Sequence, residues 1–128
     1  MRLPPYPPAM PLVDVTYGPD VSQEDLVLLG EVLPDIVSAA VACPEEPWTG
    51  PPQLGDVEIR FRQRGPHDVG QLAVVVEVRT KLFASRLADK HARAEQVSVG
   101  LATALPDLGP VGVWLILSEG AWSQTPEE

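Results

Sequence analysis

AMPLVDVTYG, residues 9–18, carries the reading of the whole chain. Leu12, Val13, Val15 and Tyr17 make residues 12–17 a β-type run. Just ahead of it, Met10-Pro11 has the form of an initiator methionine followed by proline, a pair from which the methionine is readily trimmed. The chemistry of Pro11 turns on that point. Inside a chain its nitrogen is an imide, neither basic nor nucleophilic, whereas at a mature N-terminus it is a free secondary amine.

Downstream of the strand, Ser22 with Asp25 three residues on gives a capping-box signal. Leu26, Leu29, Leu33, Ile36, Val37, Ala40 and Val41 then recur at helical spacing. Pro34 falls inside that helix, but the carbonyl it would strike belongs to Gly30, so a kink is expected rather than a break. The Pro/Gly-rich PEEPWTGPPQLGD leads to VEIRFRQR, residues 57–64, where Val57, Ile59 and Phe61 alternate with Glu58, Arg60 and Arg62.

The pattern then restarts. LAVVVEV, residues 72–78, is apolar enough for a central strand. A helix beginning between Ser85 and Asp89 carries Ala94, Val97, Leu101 and Leu105, and VGVWLIL, residues 111–117, closes the unit. The result is an α/β fold from a duplicated βαβ unit, βαββαβ. Right-handed crossovers put both helices on one face of a four-stranded mixed sheet. The opposite face then needs cover, which favours an oligomer. A monomeric ferredoxin-like domain shares this element order and is the structural competitor.

The 128 residues suit one domain over 11–124, with a Pro-rich arm at 1–10 and a short tail at 125–128. No apolar run approaches the roughly 18–20 residues of a membrane span, and MRLPPYPPAM lacks a secretory h-region, so the expected location is cytoplasmic. PPYPP in the arm has polyproline II character without a PxxP-plus-basic context. The lone Cys43 cannot form an internal disulfide and reads as packing.

The net charge of −9 argues against nucleic acid or an anionic membrane as partner. Eight of the nine Lys and Arg residues lie between 60 and 93 against three acids, so that stretch is +5 and the remainder −14. This cationic island is either a solvated face paired with the acidic remainder or a pocket for a small carboxylate. His67 and His91 have no metal-ligand spacing, so no metal is expected; His67 reads as a turn residue and His91 as a helix-surface one. Trp114 reads as core and Trp48 as loop packing.

MPLVDVTYGPDV from Met10, Ile59-Arg60-Phe61-Arg62, the Gly65, His67, Asp68 turn and Trp122 in EGAWSQ resemble the tautomerase superfamily. Within it they are most similar to the 5-(carboxymethyl)-2-hydroxymuconate isomerase branch. The resemblance spans about residues 10–124. It implies a homotrimer whose N-terminal proline lies at the floor of an inter-subunit pocket and acts as general base or acid in keto-enol chemistry, without a cofactor. Pro11 would be that residue, with Arg60 and Arg62 clamping a substrate carboxylate and stabilising the enolate. An α-amino group titrates near about 7.7–8.0 and a proline amine is more basic still, so burial and cationic neighbours must lower it before it accepts a proton at neutral pH.

The sequence departs from the superfamily where many members place an arginine after the first strand; here stand Gly18, Pro19 and Asp20. Arg79 or Lys81, at the end of the third strand, offers a replacement, and Arg79 is taken as the third substrate ligand. Decarboxylases and dehalogenases of the superfamily add water-activating acids, for which Glu58, Glu77 and Glu119 are candidates. Two functions stay open: a cofactor-free tautomerase acting through Pro11, or a binding or structural trimer of the same fold in which Pro11 is internal.

Overall fold

The computed structural model of the protein describes residues 11–46, 56–123 and 125. Trp48, the PPYPP segment and most of the short tail lie outside them. The first strand, β1, is Leu12–Tyr17, and helix α1 follows over Gln23–Val41. Ser22 caps that helix through its hydroxyl, which accepts from the Asp25 amide at 3.1 Å, and Glu24 and Asp25 complement the positive end of the helix dipole. The helix continues through Pro34 without a break. Strand β2 is Glu58–Gln63 and strand β3 is Val74–Lys81.

The second helical region is two pieces, α2 over Ala84–Ala88 and α3 over Lys90–Ala104, with Asp89 between them. The sequence predicts one helix there, so this is a correction. Strand β4, Val111–Ser118, ends the fold, entered through Gly109 at a φ of 96° that disfavours other residues.

The sheet order is β2-β1-β3-β4. Strands β1 and β2 run parallel, as do β3 and β4, while β1 and β3 pair antiparallel at the centre. Each βαβ unit therefore keeps its two strands adjacent, with none inserted between them. That removes the split-βαβ competitor.

Period-two alternation sorts the side chains. Val13, Val15, Val74, Val76 and Val78 are buried against Leu29, Leu33, Val37, Val97 and Leu101 of the helices, forming one core. The other face carries Leu12, Asp14, Val75, Glu77, Arg79, Trp114 and Ile116, and among the described residues no helix or strand covers it. Trp114 is on that face and 67% exposed, which corrects its reading as a core residue. Cys43 is buried, His67 sits in a turn and His91 on the exposed side of α3, as the sequence predicts. Among the described residues, no helix is long and apolar enough to cross a membrane.

Candidate functional site

The antiparallel pairing of β1 with β3 brings the start of the first strand against the end of the third, with Leu12 opposite Arg79. The parallel β3–β4 ladder sets Lys81 opposite Ser118 at the same end of the sheet. Past Ser118 the chain turns through Gly120 and Ala121 to Trp122 and closes a cleft of about 150 Å³. Its walls include Leu12, Arg79, Lys81, Ser118 and Trp122. Pro11 immediately precedes Leu12, is buried, and accepts a hydrogen bond from the Glu58 amide at 3.1 Å through its carbonyl.

Three of the four site residues singled out from sequence fall around this end of the sheet. Pro11 adjoins the cleft through Leu12, and Arg79 lines it. Arg60 does not line it but reaches it indirectly. Its Nε lies 3.1 Å from Asp14 Oδ1, while Arg79 Nη1 donates to Asp14 Oδ2 at 2.7 Å, so the two guanidiniums share one carboxylate. Arg62 stands apart, in register with Thr16 two positions further along β1, and is exposed.

Asp14 was not apparent as a site residue. Its period-two parity with Leu12 was legible, but its meeting with Arg79 depends on a pairing of distant strands. Lys81 makes no salt bridge among the described residues; its ammonium lies 5.8 Å from the centroid of Phe83.

The cationic island is not one site. Arg86 is fully buried, and donates to the Val41 carbonyl at 2.8 Å, the Lys81 carbonyl at 3.0 Å and Glu46 Oε1 at 3.1 Å. Arg93 donates to the Ala40 and Ala42 carbonyls at 3.0 and 2.7 Å and pairs with Asp89. Both arginines thus satisfy carbonyls left open at the end of α1, which has no basic residue in its own last turn. Arg64 binds the Gly70 carbonyl in the turn between β2 and β3. What remains in the cleft for a ligand is Arg79 and Lys81, with Arg60 behind them, while Arg62 and Lys90 are exposed outside it.

Glu58 is exposed on the edge strand, Glu77 is opposite Asp14 in the β1–β3 register, and Glu119 is exposed beside the cleft. Among the described residues no group of three or more His, Cys, Asp or Glu is placed to hold a metal ion.

The same arrangement of strands and helices occurs in solved structures. Leishmania major MIF2 is similar at a TM-score of 0.56 and 13% identity, over 92% of this chain and 97% of that one. A malonate semialdehyde decarboxylase is similar at a TM-score of 0.64 and 13% identity, over 91% and 92%. A fused 4-OT described as a symmetric trimer is similar at a TM-score of 0.55 and 19% identity, over 84% and 85%. The chain has the tautomerase fold. At these identities the likeness is one of fold alone. No family model matches the sequence, and no curated protein matches it. The tautomerase fold here keeps the duplicated βαβ plan, and its cleft is at the end of the sheet where β1 begins.

Proposed function

We propose that the protein is a cofactor-independent tautomerase or isomerase interconverting enol and keto, or shifted double-bond, forms of a small carboxylate. One observation carries the reading: the residue after Pro11 lines a cleft that also contains Arg79 and Lys81. Trimmed to Pro11, the chain would present a secondary amine at that cleft. The cationic side chains there would disfavour its protonated form and bind the substrate carboxylate. Arg79 is assigned to the carboxylate, with Arg60 acting through the shared Asp14; Arg62, apart from the cleft within one chain, is assigned to it only across the inter-subunit pocket of the proposed trimer. The Met-Pro-Leu-Val-Asp-Val-Thr-Tyr opening supports placing the chain nearest the 5-(carboxymethyl)-2-hydroxymuconate isomerase branch.

The reading includes a homotrimer. It is supported by the uncovered sheet face with its exposed Trp114, and by the trimeric 4-OT among the similar structures. A location in the cytoplasm belongs to the same proposal. A second reading is a non-catalytic binding or structural trimer in which Pro11 stays internal and its nitrogen is an imide.

The two are separated by a chain started at Met10. Trimmed to Pro11, it is expected to ketonise phenylenolpyruvate, while the full-length chain does not and Pro11→Ala loses at least about 100-fold. If the Met10-start protein and its Pro11→Ala variant are equally inactive on enol and unsaturated carboxylates, the binding reading holds. Sedimentation at micromolar concentration checks the assembly, and a monomer mass removes the inter-subunit pocket.

A further inference from the structure

Within the proposed reading, the arginines available to a substrate carboxylate already hold a carboxylate of the protein. Asp14 uses one oxygen for Arg60 and the other for Arg79, at 3.1 and 2.7 Å. This is the way a substrate carboxylate would engage a pair of guanidiniums. Glu77 is the Cα partner of Asp14 on β3 and shares its face of the sheet by the alternation that buries Val76 and Val78. Asp14 therefore serves both guanidiniums, and Glu77 adds a second negative charge at the same register position. Lys81 supplies the one cationic charge of this end of the sheet that no carboxylate of the described residues pairs.

We infer that Asp14 is a specificity-determining residue: it restricts the cleft to ligands bearing a single carboxylate, by occupying the arginine pair that would otherwise take a second. Arg79 is the point of contact. It lines the cleft while its Nη1 is committed to Asp14, so a ligand there meets a guanidinium already paired with a carboxylate. Replacing Asp14 by a neutral residue of the same shape uncovers a second net positive charge within reach of the cleft. A dicarboxylate gains a partner for its second carboxylate, whereas the single carboxylate of a monocarboxylate already has Lys81. Discrimination is a difference of affinities, so the quantity that moves is the ratio between the two ligands.

The test uses the full chain and two inert ligands of equal length, propionate and malonate, titrated by NMR at neutral pH. Asp14→Asn is expected to strengthen malonate over propionate by about fivefold or more relative to wild type. Asp14→Glu, which restores the charge, is expected to keep the wild-type ratio, and Asp14→Asn combined with Arg79→Gln to lose the gain. Melting temperatures of all three variants identify any general loss of structure, which would shift both ligands together.

An unchanged ratio in Asp14→Asn, an equal shift for both ligands, or the absence of binding by either in every variant overturns the inference. Because neither ligand reacts, the result is independent of turnover. Enol turnover by the Met10-start protein with an unchanged ratio sinks the role of Asp14 alone, and a switched ratio with no turnover by the Met10-start protein sinks the tautomerase reading alone.

Discussion

Arg86 and Arg60 come from one cationic stretch of sequence and end in opposite surroundings. Arg86 is fully buried, with three acceptors around its guanidinium, two of them backbone carbonyls. Arg60, on the edge strand, keeps 59% of its side chain exposed and pairs with an acid it shares with Arg79. The first arrangement holds the fold together and leaves nothing for a ligand. The second contributes little to stability and leaves donors free. Charge density along a sequence therefore does not locate a binding site; what each cation is already bonded to does.

The contrast is broken or sharpened most strongly at Arg86. Arg86→Ala leaves the Glu46 carboxylate and the Val41 and Lys81 carbonyls without their donor, and is expected to cost about 3–5 kcal/mol in urea unfolding. Lysine should not rescue it, because a single ammonium cannot reach acceptors arranged around a planar fork. A loss under about 1 kcal/mol would mean that the buried network is dispensable. Arg93→Ala comes next, at about 1–2 kcal/mol, since it frees two carbonyls nearer solvent.

Arg60→Ala should change stability by no more than about 0.5 kcal/mol. Under the proposed function it should weaken carboxylate binding by roughly 1.5–3 kcal/mol. Stability lost in step with binding would erase the distinction between the two arginines.

The smallest effect is at Glu45, which accepts from the Ser85 hydroxyl and amide at 2.5 and 3.2 Å at the start of α2. Those bonds, the hydroxyl first, hold its carboxyl below the ordinary value of 4.5. A lowered folded-state value means a contribution present above the ordinary value and lost as the pH falls through the folded one. The melting-temperature difference between wild type and Glu45→Gln should therefore be full at neutral pH and fade in acid below 4.5. A difference that grew in acid would reverse the assignment.

Much of the fold was legible because local signals agreed with one another. Ser22 and Asp25 marked the start of α1, and Val13, Val15, Val57 and Ile59 gave the strands of the first unit by simple alternation. The apolar run marks β3 at 72–78 but obscures its period, and the strand runs 74–81. Thr80 continues the buried parity of Val74, Val76 and Val78, while Arg79 and Lys81 fall on the open face.

VGVWLIL failed differently. Seven apolar residues in succession show a strand but not which face each residue takes, so Trp114 was assigned to the core. Around the cleft, Pro11 and Arg79 could be picked out by residue type and position. Asp14 could not, because its partners lie 46 and 65 residues away and meet only through strand register.

The grip of Arg86 and Arg93 on the end of α1 also bears on how the molecule comes apart. The first βαβ unit ends its helix on carbonyls that Arg86 and Arg93 of the second unit satisfy, and the two units share the central β1–β3 pairing and a single core. Neither repeat is a self-sufficient folding unit, despite its complete strand-helix-strand plan. Fraying the last turn of α1 requires withdrawing a buried guanidinium, so the amides there are expected to open with the whole domain rather than ahead of it, which hydrogen exchange checks. The duplication is then visible in the order of elements but not in the cooperativity.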